Sequence, residues 1–236
     1  MARKIQSSQR REESLSRDQI VEAAIALLDA GGESGLTFRA LADKLATGPG
    51  AIYWHIDNKS DLLTAACDAI IARTINAPQD SKTPDATIRS LALAMFDAID
   101  VRPWVGSALA RSPTQTPMVR IIECLGQHLH ALGVLEDARW ATVSALLNYI
   151  LGVGGQNAAN TEFARRQGAN RSTLLNEVSI SWSQLDPKEY PFTRSIATQM
   201  RDHDDRADFL TAIDLILAGI QRRGSPPRES SKRMPD

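Results

Sequence analysis

The chain has 236 residues, enough for one large or two modest domains with a real core, and its 43% hydrophobic and 23% charged residues are those of an ordinary globular protein. A formal net charge of −1 and a pI near 6.4 exclude a broadly basic nucleic-acid coat and leave room for a local basic patch. The two cysteines, Cys67 and Cys124, lie far apart without a CxxC. No apolar signal segment opens the chain, and its longest apolar run, ALLNYILGVGG, is too short to span a bilayer, so a cytoplasmic protein with no membrane partner is expected.

Residues 1–13 read as a flexible polar arm; residues 1–17 carry five basic and two acidic side chains. The first helix follows. Ser16 is an N-cap with Gln19 three residues on, a capping box, and Leu15 and Ile20 occupy the staple positions. Ile20, Ala23, Ala24, Leu27 and Leu28 repeat at helical spacing until Gly31-Gly32. Thr37 caps a second helix, FRALADKLA, and Thr47-Gly48 makes a turn. Pro49 opens a short third helix, where its missing N–H would be unpaired anyway, and Asn58 caps a fourth.

The remainder is also helical. Thr83-Pro84 and Thr116-Pro117 are cap-then-proline starts. Gly133 stops the second of these helices, and others run from about Glu136, from Arg171 to Leu185 and from Asp205 to Arg223. The tail 224–236, GSPPRESSKRMPD, reads as disordered. No alternating run suggests a strand, so the fold class is all-α: a helix-turn-helix domain over 14–60 and a larger helical domain over 61–223.

Two short helices joined by a tight turn, with another helix before them, make a helix-turn-helix whose second helix, residues 49–55, would enter the DNA major groove. The bland alternative is a three-helix packing unit. Charge does not separate the two, because residues 1–60 hold eight basic and eight acidic side chains; the basic arm favours DNA.

The segment LTFRALADKLATGPGAIYWHIDNKSDLL resembles the DNA-binding domain of the TetR family of bacterial regulators, with YWH and N-K-x-x-L-L similar to its tetracycline-repressor branch. The resemblance covers roughly residues 16–65. It implies a ligand-responsive homodimer that binds a palindromic operator on double-stranded DNA, most simply as a repressor released by a small-molecule inducer. The alternatives are a same-fold activator, a regulator without an inducer, or a helical ligand-binding enzyme with a vestigial helix-turn-helix, against which the absence of a catalytic constellation argues. It also implies roles. Arg39 reaches a base, Tyr53 and His55 lie at the DNA face, and Lys59 sits beside phosphate. Trp54 is either phosphate-facing or an anchor between helices, and Thr47 reaches DNA or caps locally. Pro49, Gly50 and Ala51 stand at the start of the recognition helix with no side-chain donor or acceptor, so they offer only close approach and a methyl contact.

Candidate inducer contacts are Met95, Phe96, Trp104, Met118, Trp140, Asn148 and Tyr149, with Gln156 a further pocket or interface polar; together they suit a flat, mostly apolar molecule. Carrying the ungapped alignment into the fourth helix places Ile75 where tetracycline-binding members have a histidine for the drug–magnesium chelate. The helices over 136–160 and 205–223, Ile213 and Leu217 included, are expected to supply the dimer face. His128 and His130 diverge on a helix, and RDHDDRAD around His203 reads as an acidic loop rather than a metal site. GVGG lacks the context of a phosphate loop, and no catalytic spacing such as HExxH or GxSxG occurs, so no catalytic residue, cofactor or metal is expected.

Overall fold

The computed structural model describes residues 15–77, 83–111 and 115–224. The basic arm lies outside them, as does the tail beyond Gly224. In chain order the helices are α1 (Arg17–Gly35), α2 (Phe38–Lys44), α3 (Pro49–Tyr53), α4 (Lys59–Asn76), α5 (Pro84–Val101), α6 (Pro103–Leu109), α7 (Thr116–Ala131), α8 (Glu136–Arg166), α9 (Arg171–Ser183), α10 (Pro191–Ile196), a 3₁₀ turn (Ala197–Asp202) and α11 (Asp205–Gly224). Among the described residues there is no strand, and no helix is long and apolar enough to cross a membrane. The fold is all-α, in two compact units: Met1–Ala77 with Ala98–Ile121, and Pro78–Asp97 with Ile122–Asp236.

In the first unit α1 packs against α2, α4 and α6, and α2 against α3. Ile20, Ala24 and Leu28 of α1, Leu41 of α2, Ile52 of α3 and Leu62 and Ala66 of α4 are buried, as are Leu36 and Ile56 between helices. Burying each large aliphatic side chain contributes about 1.5–3 kcal/mol. The capping box forms on both sides: Gln19 N–H donates to Ser16 Oγ at 3.2 Å and Ser16 N–H to Gln19 Oε1 at 2.9 Å. Asn58 Oδ1 accepts from Asp61 N–H at 2.9 Å, and Arg17 pairs with the Asp61 carboxylate at 3.2 Å, tying the start of α1 to the start of α4.

The sequence reading needs four corrections. Helix α1 continues past Gly31-Gly32 to Gly35, with Gly32 alone left-handed (φ 59°) at a break inside it. The turn after α2 is made by Ala46, at φ 50°, not by Thr47-Gly48: Thr47 N–H bonds to Ala42 O at 3.0 Å and Ala46 N–H to Asp43 O at 3.3 Å, a Schellman closure built without glycine. Helix α7 begins one residue before its proline, with Gln115 O accepting from Met118 and Val119. Helices α6 and α10, each opened by a proline at the first position, were not read at all because seven and six residues are too few to show a period.

In the second unit α11 packs against α8, and α9 packs against the 3₁₀ turn and α10. Phe209 of α11 is its centre, stacked on Phe96 (ring centroids 4.7 Å) and on Tyr149 (5.4 Å). Ile213 and Leu217, one and two turns further along α11, continue the same inward face, at 0% and 5% exposure. They are therefore core residues of the single chain and not the exposed dimer face the sequence suggested.

Candidate nucleic-acid interface

Helix α3 has five residues and would not persist alone in water. Ile52 holds it, its side chain wholly buried, while Pro49, Gly50, Tyr53, Trp54 and His55 are exposed and Ala51 is half-buried. Trp54 is 89% exposed, which removes the reading of it as an anchor between helices. Gly48, the N-cap, supplies no side-chain bond, and a Cβ at Gly48 or Gly50 would meet nothing within 4 Å. Among the described residues nothing requires glycine at residue 50. Thr47, half-buried in the turn, uses its N–H on Ala42 O and makes no side-chain cap.

Helix α2 presents the charge. Thr37 caps it, accepting from Ala40 N–H at 3.0 Å, and Phe38 and Arg39 form its first turn. The electrostatics single out Arg39. Among the described residues of the first unit, Arg17, Arg73, Arg102, Arg111 and Arg120 each pair with a carboxylate: Asp61, Glu22, Asp29, Glu33 and Asp68 in turn. Arg39 is exposed and, among the described residues, has no ion-pair or hydrogen-bond partner, so its five donors are available. Lys59 is tied within the chain. Its ammonium donates to Glu33 O near the end of α1 at 2.6 Å, leaving two of its three hydrogens for other acceptors.

Phe38 is the residue the sequence reading missed. Its ring lies against Tyr53, centroids 4.5 Å apart and planes 13° from parallel, so the first residue of α2 carries the last residue of α3.

The second unit holds a cleft of about 510 Å³. Tyr149, Phe163, Trp182 and Phe209 give it aromatic walls, Gln156, Asn157 and Asn160 of α8 supply carboxamides, and Arg171, His203, Asp205 and Asp208 form a charged rim. Arg171 forks onto Asp205, with Nε to Oδ2 at 2.7 Å. The His203 ring nitrogens lie 3.1 Å from Asp205 and 2.9 Å from Asp208. Burial, then the nearby Asp208 charge, pushes the Tyr149 phenol up from its ordinary value. Among the described residues no group of three His, Cys, Asp or Glu is placed to hold a metal ion.

Of the seven candidate inducer contacts, Tyr149 alone lines this cleft. Phe96 supports it from behind through Phe209, and Met95 is fully buried. Trp104 and Met118 are core residues of the first unit, and Trp140 (68% exposed) and Asn148 lie on the surface. The missed lining residues come from the later turns of α8, from α9 and from the start of α11, with Met200 of the 3₁₀ turn, and no local periodicity encodes how these segments meet.

A buried isoleucine under an exposed Tyr-Trp-His triplet, with a free arginine on the preceding helix, defines the class: a helix-turn-helix protein. Residues 20–66 match the profile of the bacterial regulatory proteins of the tetR family. The chain is 44% identical over 212 residues to the class D tetracycline repressor protein of Escherichia coli, covering 87% of this chain and 95% of that protein. It is 30% identical over 210 residues to an HTH-type transcriptional regulator of Saccharopolyspora erythraea, covering 88% and 87%. The solved structure of the transcriptional regulator SCO7222, a TetR from Streptomyces coelicolor, superposes with a TM-score of 0.80 at 47% identity, covering 89% of this chain and all of that one. The chain belongs to the TetR family.

Proposed function

We propose that this DNA-binding transcriptional regulator of the TetR family is a repressor that grips a palindromic operator as a homodimer and is released by a small molecule. Residues 14–60 would read the DNA, and residues 61–223 would bind the ligand and the second subunit. The unspent Arg39 guanidinium carries this reading, because among the described residues the first unit pairs its other arginines with carboxylates and leaves this one, on the helix before Tyr53 and His55, free. A guanidinium suits the O6/N7 edge of guanine, and Thr47, Trp54 and Lys59 flank it toward phosphate. With Pro49, Gly50 and Ala51 offering no hydrogen bond, DNA shape supplies part of the specificity.

The ligand site is assigned to the cleft beside Tyr149, where aromatic walls and three carboxamides suit a planar molecule with hydrogen-bonding substituents. Release follows if the ligand prefers a dimer whose two α3 helices no longer match successive major grooves. The dimer face is assigned to the outward side of α8 and α11, where Leu215 is 70% exposed beside the exposed Ala218 and Gly219, and where α8 exposes Ala141, Ala145, Asn148, Gly152 and Ala159.

The test is operator binding by wild type, Arg39→Ala and Lys59→Ala across salt. With about four phosphates neutralised per subunit, the wild-type log–log slope is about −7. Lys59→Ala weakens all sequences alike and flattens the slope by about 2 per dimer. Arg39→Ala relaxes preference at one base pair per half-site, at about 1–3 kcal/mol per contact. Equal behaviour of the two variants would remove Arg39 from the base.

A further inference from the structure

Tyr53 is half-exposed at the end of a five-residue helix whose one fully buried side chain is Ile52. An exposed tyrosine in such a position ordinarily samples several rotamers. Here one face of its ring is covered. Phe38, half-buried at the first position of α2, lies nearly parallel to it at 4.5 Å. The other stacked pairs, both on Phe209, lie inside the second unit, where burial alone would bring rings together. At the surface, the stack also limits the ring's rotational freedom.

That freedom matters because the start of α3 has no hydrogen-bonding side chain. Readout falls to Arg39, Tyr53 and His55. The face that Phe38 covers cannot stack on a base, which leaves the hydroxyl, the edge and the opposite face of Tyr53 to meet DNA. A hydroxyl already held in place is ordered before binding and loses less on contact.

We propose that Phe38 is a positioning residue for DNA recognition, its ring holding the Tyr53 phenol at the angle from which the hydroxyl bonds DNA. The proposal rests on Tyr53 facing DNA. Aromatic stacking of this kind is worth about 3- to 10-fold in an equilibrium constant, hence about 10- to 100-fold for a dimer engaging two half-sites.

The experiment uses the full-length protein and the duplex that the wild type selects from random DNA. Phe38→Leu keeps apolar volume and loses the stack. It should weaken binding about 10- to 100-fold, and Phe38→Trp should restore it to within about 3-fold. In a Tyr53→Phe background, Phe38→Leu should add less than about 3-fold, because no hydroxyl remains to be positioned. Without DNA, the ¹⁹F resonance of 3-fluorotyrosine at Tyr53, one of three tyrosines, should move in Phe38→Leu as the ring current is lost. Equal losses in both backgrounds would show Phe38 acting by itself, and wild-type affinity in Phe38→Leu or an unmoved resonance would likewise overturn the proposal. A wild type that selects no duplex, with the resonance still moving, would instead remove the DNA-face reading of Tyr53.

Discussion

The indole N–H of Trp104 donates to the Asp29 carboxylate at 2.9 Å, and Arg102 Nε reaches the same carboxylate at 3.1 Å. Trp104 is 5% exposed, so this bond ties α6 to the outer half of α1 and leaves the indole no role in a ligand cleft. Asp29→Ala strands a buried donor and frees a guanidinium, and should cost about 1–3 kcal/mol in urea unfolding. Trp104→Phe removes the donor with most of the ring kept and should cost less. If Asp29→Ala unfolds at the wild-type urea midpoint, the bond contributes nothing.

Gly50 separates what the fold needs from what DNA needs. A methyl there meets no atom of the described residues within 4 Å, and the backbone is not left-handed. Gly50→Ala should therefore stabilise the free protein by about 0.5–1 kcal/mol through helix propensity. The same methyl projects from the second position of the recognition helix, where it should change operator affinity or sequence preference. A variant that melts higher and binds DNA unchanged would place residue 50 away from the groove.

The two faces of α11 predict opposite outcomes for one kind of substitution. Ile213→Asp buries a charge in a single-chain core and should yield unfolded or aggregated protein, since an unpaired buried charge has no stable folded solution. Leu215→Asp lies on the outward face and should yield a folded monomer by sedimentation, with native circular dichroism and much weaker operator binding. A dimer persisting in Leu215→Asp would move the interface to another surface.

Local chemistry made most of the helix-turn-helix legible. The capping box at Ser16, the Asn58 cap and the proline at the first position of α3 are short-range signals, and each forms where the sequence places it. The turn was misplaced because its left-handed residue is Ala46, and only glycine advertises that conformation. Trp54 was ambiguous because an aromatic beside a buried isoleucine reads equally as core. The cleft was mostly illegible. Apolar residues at helical spacing, such as Met95 and Ile213, do signal burial, yet which of them border an opening depends on how α9 and the 3₁₀ turn pack across α8. The Phe38–Tyr53 stack was invisible for the same reason: its partners are 15 residues apart on different helices, and the angle between those helices decides whether the rings meet.

The final prediction concerns tetracycline. The class D tetracycline repressor is 44% identical to this chain, yet this protein should not respond to tetracycline with magnesium. The resemblance to tetracycline-binding members implies a histidine at the place of Ile75, which is half-buried in the last turn of α4. An isoleucine offers neither a metal ligand nor a hydrogen bond, and burying a polar chelate without partners is costly. The cleft beside Tyr149 does hold a histidine, His203, but Asp205 and Asp208 already face both of its ring nitrogens. A metal at Nε2 would have to displace Asp205, which Arg171 also grips, and one at Nδ1 would have to displace Asp208. Its aromatic walls and carboxamides suit a planar organic molecule that needs no metal. Titration with tetracycline, with and without Mg²⁺, followed by tryptophan fluorescence and operator release, decides the matter. Weak binding that is indifferent to the metal is expected, whereas tight, metal-dependent binding that frees the operator would mean another donor set takes the place of the missing histidine.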